Sequence, residues 1–174
     1  MKKKDAPVVS VVMGSDSDLP IMQETVNILD VFGIPNELYL TSAHRAPQRT
    51  TAYAEDAATR GLKIIIAGAG AAAHLAGVIA SQTTLPVIGV PIAATSLGGL
   101  DAMLSTLQMP GGIPVATMAI GKAGAKNAAL MAVRILALTD KTLRKKMDAY
   151  IANMAEEIEK KGRSICGTSS SLKS

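Results

Sequence analysis

The chain has 174 residues, is 48% hydrophobic with almost no aromatic side chains, and carries a net charge of +4. That length suits one domain with a substantial core, and the single cysteine, Cys166, excludes an internal disulfide framework and suits a reducing, cytoplasmic setting. The charge does not mark a nucleic-acid binder: much of it sits at the two ends, no basic stripe follows one element, and Phe32, Tyr39, Tyr53 and Tyr150 build no stacking platform.

In chain order, Lys2, Lys3 and Lys4 run into Asp5 and Pro7 rather than into a long apolar region, so no signal peptide is expected, and no later run is long enough to span a membrane. Val8 to Met13 is an apolar, β-branched run that breaks at Gly14 and reads as a buried strand. Ser15-Asp16-Ser17-Asp18 follows, with Asp18 at a cap position and Pro20 in the first turn of a helix that Gly33 and Pro35 stop. A strand, a polar loop and a helix start in that order attract an anion, to which Ser15 and Ser17 add hydroxyl donors. Asp16 and Asp18 argue against a bare phosphate cradle, and a carboxylate suits a diol such as a ribose instead, because it can accept from two hydroxyls at once; the plainer reading of the stretch is a capped turn.

Glu37 to Thr41 alternates as a strand should and ends in Ser42-Ala43-His44-Arg45, after which Pro47 opens a helix expected to reach about Arg60. Lys63 to Ala67 is a third strand, followed by the small-residue run Gly68 to Ala73 and a helix through His74, Leu75 and Ile79. Pro86 to Val90 supplies a fourth strand, Gly99 to Gln108 a helix, Pro114 to Ala119 a fifth strand, and Ala125 to Leu138 another helix. A last helix is expected from Asp140 to Lys161, ended by Gly162, with a Ser-rich tail over 163–174 outside a single domain of 1–162.

Strands and helices alternating in this way specify an α/β protein with a parallel, doubly wound sheet. The connections that lead from helix to strand hold mostly stop and turn residues, whereas those from strand to helix hold both histidines, the Ser/Asp cluster, Arg45, the glycine run and Lys122. The latter share the carboxyl edge of the sheet, where ligands bind in open α/β folds. Gly68, Gly70 and Ala73 spell G-x-G-x-x-A, but after the third strand instead of the first, and the acid that should stand about twenty residues on is missing. A phosphoacceptor module fails as well, because Ala67-Gly68 occupies the place of its aspartate.

His44 lies in a loop, where an imidazole's near-neutral proton affinity suits general acid or base work. Arg45 offers a fork of donors to a phosphate, helped by Ser42. His74 is read as structural slightly more readily than as chemical, and Lys122 is open between binding an anion and ending a strand. Two histidines with no cysteine near them make a poor zinc site, so no metal is expected.

GSDSD (14–18), SAHR (42–45), AGAGAAAHLAG (67–77), QMPGGIP (108–114) and AIGKAGAKNAAL (119–130) together resemble the N5-carboxyaminoimidazole ribonucleotide mutases of purine biosynthesis, over roughly Val8 to Met154. The resemblance implies a flavodoxin-like three-layer sandwich of strand order 2-1-3-4-5 with an extra C-terminal helix, a cofactor-free and metal-free transfer of a carboxylate from nitrogen to ring carbon 4, and a homo-octamer. It implies further that His44 is the general acid and base, that Ser15 and Asp18 contact the ribose and phosphate region, and that Ser42 and Arg45 contact phosphate. Ser17, Gly70 and His74 complete the expected substrate-binding set, the small residues of the Gly68 to His74 loop letting backbone close over a flat ring. Ala71 and Ala76 stand where relatives often have glycine and proline. The carboxylase variant of the family, which tends to have lysine after the loop histidine, is disfavoured by Arg45 and His74. A ribonucleotide-binding regulatory domain without turnover is the alternative from another class. Self-association is also expected from the helices at 72–81 and 125–138, which are apolar on more faces than one sheet can cover.

Overall fold

Val9–Met13 (β1) and Val87–Ile92 (β4) are buried at every position, as is the first part of Ile64–Gly70 (β3), which is the burial expected of parallel strands covered on both faces. Asn36–Leu40 (β2) and the two-residue Ala116–Thr117 (β5) are more exposed and form the edges. All pairs are parallel and the order is β2-β1-β3-β4-β5, a flavodoxin-like sheet. These strands belong to a computed structural model that describes residues 6–166; the expected lysine cluster and the tail from residue 167 onward lie outside the described residues.

The described chain divides into two compact units after Ala132. In the first, the helices are Leu19–Phe32 (α1), Pro47–Asp56 (α2), Leu75–Ala80 (α3), Leu100–Leu107 (α4) and the beginning of Lys122–Leu136 (α5). The stop at Gly33 is as expected: with φ 73 it turns the chain, and Ile34 N–H reaches back to the Leu29 carbonyl at 2.9 Å. On one face Val12, Ile65, Ala67 and Val87 meet Tyr53 and Ala54 of α2 and Leu75 and Ile79 of α3. Gly89 lies against Thr106 of α4 and Ala76 of α3 on that face. On the other, Met22 of α1 presses against Gly68, and Thr25 Oγ1 donates to the Ala125 carbonyl at 2.9 Å, tying α1 to the start of α5.

Several boundaries differ from expectation for identifiable reasons. Gly68 to Gly70 do not form a loop but extend β3, pairing as far as Gly70 with Ile92. A Cβ at Gly68 would enter the Met22 thioether and one at Gly70 would strike Ala94, so glycine here lets neighbouring segments close on the sheet. α2 ends at Asp56, and turns carry the chain to Gly61 at φ 91.

Beneath α2, the Glu37 carboxylate receives Tyr53 Oη at 2.7 Å and both Arg60 Nη atoms at 3.1 and 3.0 Å, while the Tyr53 hydroxyl also meets Ser10 Oγ. Burial pushes the Glu37 carboxyl up, but the hydrogen bonds from Arg60 and Tyr53 outweigh it and hold the group below its ordinary value.

The apolar surface lies only partly where it is expected: Met131 and Leu138 in the 125–138 stretch are exposed, but most apolar residues of the 72–81 and 125–138 helices are covered. Leu75, Ala76 and Ile79 of α3 and Ala125, Ala128 and Ala129 of α5 are buried, because alanines let these helices sit close to their neighbours. The exposed stripe is on α4 and the residues before it: Leu97, Leu100, Leu104 and Leu107 are 61%, 50%, 43% and 53% exposed at a helical spacing.

In the second unit, Asp140 Oδ1 accepts from the Thr142 and Leu143 N–H groups at 2.8 and 3.0 Å and starts Lys141–Cys166 (α6) where the sequence places it. The helix then runs through Gly162 instead of ending there. A lone helical glycine costs only about 1 kcal/mol relative to alanine, and no proline follows. Among the described residues no helix is long and apolar enough to cross a membrane.

Candidate active site

β1 lies where the order of connection reverses, so the segments leaving β1, β2 and β3 diverge around one crevice at the carboxyl edge of the sheet. There they enclose a cavity of about 290 Å³. Its lining includes Ser15, Ser17, Asp18, Ser42, His44, Arg45, Gly70 and His74, so every expected site residue is brought to one place.

The loop after β1 organises itself around two carboxylates. Ser15 N–H donates to Asp18 Oδ2 at 3.0 Å and Ser17 N–H donates weakly to Ser15 Oγ at 3.4 Å, closing a capping box on the short 3-10 turn Asp16–Asp18. Asp18 therefore occupies the expected cap position before α1, but its carboxylate turns back on its own loop and makes no side-chain bond to that helix. Asp18 is 4% exposed. Burial pushes its carboxyl above its ordinary value, and the backbone N–H groups of Ser15 and Gly14 pull the other way. The two serines form a hydroxyl chain, Ser17 Oγ donating to Ser15 Oγ at 2.9 Å and Ser15 Oγ to Asp16 Oδ1 at 3.1 Å.

The turn after β2 carries the cation. Arg45 N–H donates to Ser42 Oγ at 3.2 Å, and Arg45 Nη2 spans to the Gly14 carbonyl at 3.0 Å, joining the second loop to the first. Ser42 Oγ acts only as an acceptor in these contacts, which leaves its own proton to donate.

The third segment supplies the second imidazole. Beyond Gly70 the chain turns through Ala71 at φ 54, a left-handed conformation that is uncommon for alanine, and Ala73 N–H and His74 N–H close successive tight turns onto the Ala71 and Ala72 carbonyls at 2.8 Å each. His74 is thereby set directly against His44 in the cavity lining, with Nδ1 2.8 Å from His44 Nε2 and the rings edge to face. At that distance one nitrogen carries the shared proton and the other accepts it.

Gly14, read in the sequence as the break after the first strand, also lines the cavity, as does Ala94, which sequence does not single out; its place after β4 at the same edge is the only signal for it. Lys122 lies outside the lining and pairs with Glu24, its Nζ 3.4 Å from Oε1. Among the described residues no group of three His, Cys, Asp or Glu side chains is placed to hold a metal ion.

The chain is 52% identical over 163 residues to the N5-carboxyaminoimidazole ribonucleotide mutase of Pyrococcus horikoshii, a match covering 94% of this chain and 91% of that one. It is 51% identical over 162 residues to the phosphoribosylaminoimidazole carboxylase of Candida albicans, where the match covers 93% of this chain but only 28% of the longer protein. The crystal structure of Treponema denticola PurE aligns with a TM-score of 0.82 at 29% identity, covering 91% of this chain and 98% of that one. The AIR carboxylase family profile matches residues 8–157, from the first strand into the last helix and across every loop that lines the cavity, and the chain belongs to that family.

Proposed function

We propose that the chain is a mutase of purine biosynthesis that converts N5-carboxyaminoimidazole ribonucleotide to 4-carboxy-5-aminoimidazole ribonucleotide, with His44 as general acid and base. The observation that carries this reading is the His44–His74 pair, 2.8 Å apart at the rim of a cavity that also holds an arginine, serine hydroxyls and a buried carboxylate. The mutase names of relatives matching nearly the whole chain support it.

In this reading Arg45 and Ser42 take the phosphate, with the Ser15 and Ser17 hydroxyls turning from their internal chain toward it. Asp18 accepts from the ribose diol, and the backbone from Gly70 to Ala72 lies along the ring. The carboxylate leaves nitrogen as carbon dioxide, and His44 gives the amine its proton. Carbon 4 of the ring then adds to the carbon dioxide, and the proton it loses returns to His44. Atoms balance without a co-reactant, and the enclosed gas molecule need not be collected from solution, which removes a large entropic barrier. His74 holds the His44 ring and offers the proton a second position.

The test supplies substrate labelled in its carboxylate together with unlabelled bicarbonate and follows the label into product without ATP or added metal. Substantial retention is expected. The 51% identity to a carboxylase gives the second reading its weight: product formed only from aminoimidazole ribonucleotide and dissolved carbon dioxide would establish it instead. No product in either arm would leave a ribonucleotide-binding domain.

The same proposal includes self-association to an octamer, supported by the exposed leucine stripe of α4. Sedimentation at micromolar concentration should give a closed oligomer, and a monomer there would overturn it.

A further inference from the structure

The turn that carries His44 and Arg45 is bracketed by two threonines that take no part in the cavity lining. Thr41, the last residue before the turn, and Thr50, in the second turn of α2, are 3% and 0% exposed. Their hydroxyl oxygens are 2.9 Å apart, and Thr50 Oγ1 donates to the Ala46 carbonyl at 3.1 Å. A hydroxyl has one proton. Because that of Thr50 is used on Ala46, Thr41 must be the donor to Thr50, and the chain runs one way: Thr41 to Thr50 to the Ala46 carbonyl.

This chain joins the two ends of the Ser42 to Ala46 turn. Thr41 N–H is fixed to the Met13 carbonyl of β1 at 3.0 Å, so the clasp also refers the turn to the central part of the sheet. Within the turn the backbone is closed by a single bond, Ala46 N–H to the Ser42 carbonyl at 2.9 Å. A threonine bonding back four residues is common in helices, but a second buried hydroxyl on a different element, spending its proton on the first, is not required by the helix.

We propose that Thr41 and Thr50 are positioning residues that hold the His44 turn in its productive geometry. The proposal rests on the reading of His44 as the proton carrier and acts through it. A displacement of about 1 Å in a catalytic group can cost up to about a hundredfold in rate, so loss of the clasp should be visible in turnover.

The experiment separates positioning from folding with valine, which keeps the shape and removes the hydroxyl. Thr50→Val strands the Thr41 donor in a buried site and should lower both the melting temperature and kcat. In Thr41→Val/Thr50→Val no hydroxyl is left unpaired, so the melting temperature should recover toward the unsubstituted protein while kcat at saturating substrate stays down by roughly tenfold or more. Thr50→Ser, which restores the hydroxyl, should regain most of the rate. A double variant with kcat within about twofold of the unsubstituted protein, or kcat that recovers together with stability across the series, would overturn the proposal. If the double variant does not fold, Thr41→Val decides: Thr50 keeps its bond to Ala46, so a several-fold fall in kcat supports the clasp and an unchanged kcat overturns it. An active His44→Asn protein would instead defeat the underlying reading, which keeps the two failures apart.

Discussion

Replacing His44 by asparagine is expected to lower turnover by about a hundredfold or more, the usual contribution of a positioned general acid or base, while substrate-analogue binding stays nearly intact. The shorter amide stands where ring Nδ1 stood and falls short of the Nε2 position, 2.8 Å from His74 Nδ1, so the contact with His74 is lost while the side chains proposed to take the phosphate and the diol are untouched. An amide cannot take up and return a proton near neutrality. Binding of an unreactive substrate analogue, measured beside single-turnover rates, separates the two quantities. Most of the rate surviving in this variant would assign proton transfer elsewhere, and His74, the ring that shares its proton, would be the next residue to test.

Asp18→Ala and Arg45→Ala are expected to weaken binding by distinct losses. Removing the arginine deprives a phosphate of charge-assisted donors, a loss of about 1.5–3 kcal/mol, or roughly ten- to a hundredfold in affinity. Its effect should fall on inorganic phosphate and on the nucleotide but little on the unphosphorylated nucleoside. Removing Asp18 should do the reverse. Since the carboxylate also anchors Ser15 N–H at 3.0 Å, Asp18→Asn, which preserves volume, serves as the control for a loosened loop. Titrating each variant with phosphate and with nucleoside checks the assignment, and equal losses for both ligands in both variants would contradict it.

Asp18 also sets a pH dependence. Burial raises its folded pKa above the ordinary value, and a diol needs the ionised form as its acceptor. Nucleoside affinity should therefore decline on acidification at a higher pH than a free carboxylate would dictate, and that decline should vanish in Asp18→Asn. The sign for stability is opposite. With the folded pKa above the unfolded one, the ionised group costs stability at neutral pH, and the cost is released as pH falls through the folded pKa toward the unfolded value.

Much of this protein is local and was legible as such. Val9 to Met13 is β-branched and apolar in a way that only a buried strand satisfies, Gly33 supplies the left-handed residue that ends α1, and Asp140 caps α6 with its own carboxylate. The alternation of strands and helices, with the polar residues on one kind of connection, is enough to collect the eight candidate residues at one edge, though it collects Lys122 with them. Those signals depend on neighbours a few positions away.

Tertiary structure decided whatever depends on which distant atoms meet. His44 and His74 are 30 residues apart, and nothing in either segment encodes that their nitrogens come within hydrogen-bond distance. The same holds for Arg45 on the Gly14 carbonyl, for Lys122 drawn to Glu24 and away from the cavity, and for Thr41 bonded to Thr50. Gly68 to Gly70 look like a loop by composition but are held in a strand, because β4 offers hydrogen bonds along their whole length and Met22 and Ala94 leave no room for a Cβ. Ala71 takes a left-handed conformation that alanine does not choose locally, and the close turns around it impose it. Propensity is a property of a few consecutive residues worth tenths of a kcal/mol each. Register and close approach are set by contacts across the fold, whose combined weight overrides it.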